Sequence, residues 1–411
     1  MIVFLSLSAI LMLLSVPVFV VVFLLTFYLY SSNSIPLSSM VIEFMRLSSM
    51  PSLVAVPLFS FAGFVIASSK APQRFFNLLS SIFGSISGGV VLASIISASI
   101  FTAFSGASGI TVIAMGGLLY PILKDAGYSE KFSLGLISTT GSLGLLIPPS
   151  LPIILYSVVG KIDINLLFKK SFVYAVFITL LFYLYSYTVS KKNNIKKQNF
   201  DYERLIRSIK DAAWEIPLPL IVIGGIYLGI ITASEAATIT CVYSVIVECF
   251  IKKEIKFSDL LGISIEAMLL VGAIFIVLAS ALSFTNYIVD MQIPEKVFSI
   301  LSLYIKSKYS FLIVLNMLLL MINMIEIFSA IIIVVPIVVP VAMSYGIDPL
   351  HLAIIFLINL ELGYMTPPFG INLFLSSMRF QKRLTDIYRY VIPWWLIVFI
   401  SLLITSYIQP F

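Results

Sequence analysis

Long apolar runs with almost no charge decide what this chain can become. They fall at about residues 3–29, 50–69, 132–159, 171–190, 217–231, 262–285, 352–378 and 391–408, with a shorter one at 236–250. About 18 or more such residues make a membrane-spanning helix. In lipid a backbone must satisfy its own hydrogen bonds, and a helix does so within one segment. The expectation is an all-α integral membrane protein. Composition agrees, with 60% of the 411 residues hydrophobic and 11% charged, against roughly 25% charged in soluble domains. The first run does not read as a secretory signal, being too long and lacking a basic n-region and a cleavage site.

The net charge of +6 is spread over loops, as the positive-inside bias predicts, and makes no nucleic-acid footprint. Residues 191–214 carry seven basic and three acidic side chains and read as a cytoplasmic linker. The basic loops at 252–257 and 379–389 fall on the same side when the crossings between them are even in number. That places the N-terminus in the cytoplasm and the C-terminus outside. Lys161, Lys169, Lys170, Lys306 and Lys308 then face outward, against the rule. Cys241 and Cys249 lie on one apolar stretch and suggest neither a disulfide nor a metal site. His351 is the only histidine, which excludes a His-rich metal centre.

The two halves repeat. A shift of 219 residues lays 105–157 on 324–376, with Pro121 on Pro340, Gly127 on Gly346, Gly144 on Gly363 and Pro148-Pro149 on Pro367-Pro368. Glycine and proline dictate backbone path, which is what a structural repeat preserves. The expected organisation is a first repeat over 1–190, the basic linker 191–214 and a second repeat over 215–411, running oppositely through the membrane. Inverted repeats of this kind characterise secondary transporters. The alternative is chance alignment of punctuation in greasy sequence.

Each half breaks a long apolar helix, at Gly144 to Ser150 within 132–159 and at Gly363 to Gly370 within 352–378. Paired prolines remove two amide donors and push the preceding residues out of the α region. Freed carbonyls in lipid must line a cavity or bind something. Carbonyls beside a hydroxyl suit a dehydrated hard cation such as Na⁺. The bland reading is a kink healed by neighbouring helices.

About 40 residues earlier each half has a small polar tip, Phe104 to Gly109 and Asn323 to Ser329. The apolar flanks, 89–103 with 110–122 and 309–322 with 330–343, make about 20 Å of helix each. That is short of a core of about 30 Å. Re-entrant hairpins over about 89–122 and 309–343 follow, with tips at mid-membrane whose helix N-termini can face an anionic group. A tilted spanning pair using Ser and Gly for close packing is the alternative. Among acids in apolar surroundings, Glu326 at the second tip reads as functional, Glu361 precedes the second break, and Glu235 reads as a capping-box partner of Thr232. His351 follows the turn Gly346-Ile347-Asp348-Pro349 and reads as interfacial.

Ser105-Gly106-Ala107-Ser108, Gly144 to Ser150 with Pro152, Thr232 to Ala237, Gly346 to Pro349, and Met365 to Asn372 with Phe374 resemble, in order, the large membrane subunit of tripartite ATP-independent periplasmic (TRAP) transporters. The resemblance implies an elevator-type secondary transporter with two re-entrant hairpins, not an enzyme. It implies Na⁺-coupled uptake of a small organic acid, such as a C4-dicarboxylate or sialic acid, across the inner membrane. A small membrane subunit and a periplasmic solute-binding protein are the implied partners. One Na⁺ site carries over to Ser105, Gly144, Ile147 and Pro149, and a second to Gly363, Thr366 and Pro367. Gly106, Ala107, Glu326 and Asn372 are placed nearest the substrate. The chain departs at the first tip, where Ala107 replaces the family's commoner serine and Ser108 offers a hydroxyl one residue on. At the second tip the acid is Glu326, where the family often has Asp at or near Phe328.

Two rival functions share these features. Gly106-Ala107-Ser108-Gly109 matches the G-x-S-G of rhomboid-type intramembrane serine proteases, whose serine needs a base within reach; only His351 is available, in the other half. A channel shares the broken-helix logic, and saturable uptake that depends on a binding protein excludes it.

Overall fold

Helix starts follow the capping residues. Ser129, Asp163, Asp201, Thr232 and Asp348 each accept from a backbone N–H in the first turn that follows, satisfying a donor with no intrahelical partner. Thr232 and Glu235 form the expected reciprocal box. The structure is a computed structural model and describes residues 16–195, 197–323 and 327–408. Among these residues there are helices and no strands.

In chain order α1 (Val18–Ser32) and α2 (Ser38–Ser48) lead to α3 (Ala55–Ala67) and α4 (Ala71–Phe83), which meet at a 75° bend. Next come α5 (Gly89–Ser105) and α6 (Ser108–Asp125), then α7 (Glu130–Leu143) and α8 (Leu151–Gly160), bent by 41° across the first break. After α9 (Ile164–Lys192) the basic linker holds a short amphipathic helix, α10 (Tyr202–Asp211). The second half runs through α11 (Pro217–Leu228), α12 (Ala233–Ile251), α13 (Asp259–Asp290), α14 (Ile293–Tyr304) and α15 (Lys308–Asn323). It closes with α16 (Ile327–Ser344), α17 (Pro349–Tyr364), α18 (Ile371–Phe380) and α19 (Leu384–Ile408). Among the described residues five helices are long and apolar enough to cross a membrane, or up to eight if each bent pair is one span.

Two groups of helices result. On one flank α3 packs against α12 and α13, and α13 against α1 and α2. In the other group α7 packs against α6 and α19, α16 against α8, and α17 against α15 and α19. Trp394 of α19 is fully buried there, its ring centroid 5.2 Å from Phe132 of α7 and 5.1 Å from Phe182 of α9.

The arms of the two helix pairs are longer than their apolar flanks suggested. They have 17, 18, 16 and 18 residues, or about 24–27 Å at 1.5 Å per residue, because the helices continue into the tips. Length alone therefore does not make them re-entrant, and α16 by itself is long enough to cross. Their ends are more telling. Gly84 accepts from the Gln198 amide in the linker, and Tyr128 pairs with Ser190 at the end of α9. Both ends of the α5–α6 pair thus sit at the linker, where Lys382 also meets Glu130 (2.7 Å) ahead of α19. The α15–α16 pair closes at the other end of α19. Tyr345 donates to the Ile305 carbonyl (3.0 Å) and stacks on Phe311, and Tyr309 meets Tyr407. With 25 residues, α19 separates these two levels by about 37 Å.

Candidate functional site

The turn joining α5 to α6 consists of Gly106 and Ala107. Gly106 has φ +68°, and a Cβ there would also collide with Leu151, so glycine is required. Its N–H reaches back to the Thr102 carbonyl at 2.8 Å. Ala107 is extended, which lets Ser108 begin α6. Ser105 is fully buried, its hydroxyl only loosely held by the Thr102 carbonyl at 3.4 Å. One turn back, the Thr102 and Thr111 hydroxyls meet at 2.5 Å and tie the arms together. Gly63 of α3 abuts this tip: a side chain there would run into the Phe104 carbonyl and the Ser105 Cα.

Ser108 joins the tip to the second half. Its hydroxyl donates to Asn372 Oδ1 (2.9 Å) and accepts from Asn372 Nδ2 (2.7 Å), with both residues buried. One turn along α18, Ser376 accepts from Ser138 of α7 at 2.7 Å, and two turns along, Arg379 Nε donates to the Ile113 carbonyl of α6. The first tip therefore contacts the second broken helix as well as that of its own half.

At the first break Gly144 packs against the Ser99 carbonyl and Thr102 side chain of α5, where a Cβ would not fit. The Gly144 and Ile147 carbonyls accept from Ile147 N and Ser150 N. At the second break Gly363 O accepts from Thr366 N, Thr366 O from Gly370 N, and Pro368 O from the Tyr388 hydroxyl (2.8 Å). Paired prolines were expected to strand these carbonyls; turns and Tyr388 take them up instead. Each still has a second lone pair. The Pro148-Pro149 and Pro367-Pro368 peptide bonds are both cis. Thr366 is also engaged, donating to Leu362 O (2.6 Å) and accepting from Trp395 Nε1 (2.8 Å).

Several buried oxygens near the breaks are orphans: Ser99 Oγ, Ser150 Oγ and both carboxylate oxygens of Glu361. Neutral hydroxyls and carbonyls with such orphans are a donor set that suits a hard monovalent cation, since buried polar atoms otherwise find partners. Ser105, Ser108, Gly144, Ile147 and Pro149 gather around the first tip and break. Gly363, Thr366 and Pro367 form the second break. Glu326 lies outside the described residues, so its place at the second tip goes undescribed. Sequence reasoning missed Trp395, Gly63, Thr102 with Thr111, and the Ser138–Ser376 link. Ser108 is held by Asn372, while His351 Nε2 meets the Thr405 carbonyl (2.8 Å) at the far end of α19. A serine-protease dyad is therefore not formed.

Long apolar helices, breaks within two of them and a buried polar tip define the class, a multi-pass membrane protein. The chain matches, over residues 2–411, the family model described as the tripartite ATP-independent periplasmic transporter, DctM component. It belongs to that family. A C4-dicarboxylate TRAP transporter large permease from Pseudomonas aeruginosa is 32% identical over 386 residues, covering 93% of this chain and 90% of the relative. An isethionate TRAP transporter permease named DctMQ, from Oleidesulfovibrio alaskensis, is 31% identical over 382 residues. A sialic acid TRAP transporter permease from Haemophilus influenzae is 29% identical over 362. The chain spans only 60% and 59% of these two relatives' lengths. Among solved structures the YdaH transporter of Alcanivorax borkumensis shares the fold, with TM-score 0.61 at 15% identity, over 90% of this chain and 87% of that one.

Proposed function

We propose that this chain is the permease through which a Na⁺ gradient drives uptake of a small organic acid across the inner membrane. The observation that carries the reading is the Ser108–Asn372 pair, which seats the first tip on the second broken helix amid buried neutral oxygens. In this reading Ser105, Ser108 and the Gly144, Ile147 and Pro149 carbonyls hold one Na⁺. Thr366 with the Gly363 and Pro367 carbonyls holds a second. A cage without formal charge leaves bound Na⁺ positive, which attracts a carboxylate or sulfonate toward Gly106, Ala107 and Asn372. Relatives named for C4-dicarboxylates, sialic acid and isethionate share such an anionic group. Inward movement of each positive charge adds about 2.3 kcal/mol per 100 mV of driving force.

The opposed closing ends of the two helix pairs support reading 1–190 and 215–411 as inverted repeats whose hairpins enter from opposite sides. An elevator motion of the hairpins and broken helices against α1–α3, α12 and α13 follows, with the N-terminus cytoplasmic and the C-terminus periplasmic. A small membrane subunit and a periplasmic binding protein complete the tripartite system. The test is reconstitution in liposomes with both partners. Uptake is expected to saturate, to need the binding protein and to follow an inward Na⁺ gradient. Equal uptake on a proton gradient without Na⁺ overturns the cation assignment, and uptake by the chain alone overturns the tripartite one.

A further inference from the structure

The basic linker leaves one apolar face exposed. Its helix α10 starts at Asp201, whose carboxylate accepts from Arg204 N (3.1 Å), and packs against α4. At 3.6 residues per turn its side chains divide into arcs. Arg204, Ser208 and Asp211 share one; with Arg74 and Asn77 of α4 they line a polar cleft, and Ser208 is buried. Leu205, Ile209, Tyr202 and Ile206 share another, about 100° wide. Leu205 and Ile206 are half-buried, but Tyr202 is 66% and Ile209 43% exposed. Phe200 before the helix and Trp214 after it are exposed as well.

Position says what covers this arc. The linker leaves α9, which is long and apolar enough to cross a membrane, and feeds α11, which is also apolar. It is tied down on both sides of α10. Ahead of it, the Gln198 amide donates to the Gly84 carbonyl (3.1 Å) at the end of α4; behind it, Glu215 meets Arg74 of α4 at 2.5 Å. The helix is thus held at the level where its neighbours leave the membrane, which is where exposed tryptophan and tyrosine sit among lipid headgroups.

Charge says which lipid. Residues 191–214 carry seven basic and three acidic side chains, a net +4. Lys210 borders the apolar arc and Arg207 follows it, both exposed. Glu203 shares this rim, 3.9 Å from Arg207. The surplus over it comes from Lys191, Lys192 and Lys197, all exposed, and from Lys253 and Lys256. Those last two belong to the loop that Lys252 ties to the Asp211 carbonyl (2.7 Å). The positive-inside bias accounts for the side on which these bases lie. It does not account for an apolar arc beside them, which is the pattern of a helix lying in a membrane surface.

We propose that α10 lies in the cytoplasmic membrane surface, with its apolar arc among acyl chains and its bases on anionic phospholipid of the phosphatidylglycerol type. Juxtamembrane bases of this kind are drawn to an anionic leaflet. The choice of leaflet rests on the orientation proposed above; the contact with lipid does not. Because α10 packs on α4, and α4 on α5, the lipid sets the level of the arm from which the first tip extends.

The test is hydrogen exchange in bilayer discs. The purified full-length chain is placed in phosphatidylcholine with and without phosphatidylglycerol. Amides of α10 are expected to exchange about tenfold more slowly with the anionic lipid, as roughly 1.4 kcal/mol of preference gives. Those of α19 serve as reference and are expected not to change. Arg207→Gln with Lys210→Gln is expected to remove most of the difference between lipids. Tyr202→Ser with Ile209→Ser is expected to speed α10 exchange in both, and unchanged α19 exchange shows that each variant is folded. Equal α10 exchange in the two lipids, an equal slowing across α19, or either variant behaving as wild type overturns the proposal. Slowing of α10 only when the small membrane subunit is added also overturns it, in favour of a protein on that face.

Discussion

Thr366 separates a cation ligand from a structural anchor. Its hydroxyl is engaged twice, by Leu362 O at 2.6 Å and by Trp395 Nε1 at 2.8 Å. Thr366→Val keeps the shape and deletes the oxygen. Leu362 O still accepts from Met365 N, so the loss falls on the Trp395 N–H. Leaving a buried donor unpaired costs about 1–3 kcal/mol, and partial burial of Trp395 puts the cost near the lower end. Trp395→Phe removes the donor instead, keeps the stack on Phe399, and leaves Thr366 its oxygen.

Two readouts then divide the roles. Thermal unfolding in Na⁺-free detergent measures the anchor, and both variants are expected to lose about 1 kcal/mol. The Na⁺ dependence of that unfolding temperature, with the Na⁺ dependence of uptake, measures the ligand. Thr366→Val is expected to raise the half-saturating Na⁺ about tenfold, or roughly 1.4 kcal/mol. Trp395→Phe is expected to leave it unchanged, and Thr366→Ser to behave as wild type. If Thr366→Val shifts stability but not Na⁺ dependence, the hydroxyl only anchors Trp395 and the second cage is wrong.

Three further outcomes are expected. In a double-mutant cycle of Ser108→Ala and Asn372→Leu, the coupling in unfolding free energy should be about 1 kcal/mol; additivity would show that the tip is not bonded to α18. Gly63→Ala should lower unfolding temperature and transport, because its Cβ meets the Phe104 carbonyl, whereas Gly262→Ala, with open space around it, should be neutral or slightly stabilising in the same scan. Arg74→Met should cost about 3–5 kcal/mol by stranding buried carboxylates, seen as lost folded yield, and adding Glu215→Gln should recover part of it.

The broken helices and the first tip were legible because glycine and proline act locally. Pro148, Pro149, Pro367 and Pro368 stop a helix wherever they sit, and Gly106 takes a left-handed turn that other residues resist. The capping box at Thr232 and Glu235 was legible for the same reason. What the sequence did not offer was partnership between distant residues. Trp395 lies 29 residues from Thr366, and Asn372 lies 264 from Ser108. A serine in an apolar run carries no mark that tells Ser138, bonded to Ser376, from Ser142, which bonds only its own helix. Helix ends at the tips were missed because Ser105 and Ser108 look like loop residues yet lie within helices.

The kinds of contact around the site bear on how it moves. Hydrogen bonds between side chains, or from side chain to backbone, link α6 to α18, α7 to α18, α17 to α15, α15 to α19, and α19 to the second break. Breaking one of these inside a membrane strands a polar group in a medium without water, so these helices are expected to move as one in the proposed transport cycle. Where α3 meets the tip, Gly63 instead lets two backbones pass closely. The Arg74 cluster on α4 holds that corner to Glu215, Glu248 and Glu254, fixing the arm on which α5 hangs. A bonded core beside an anchored corner is the arrangement that the proposed elevator motion needs.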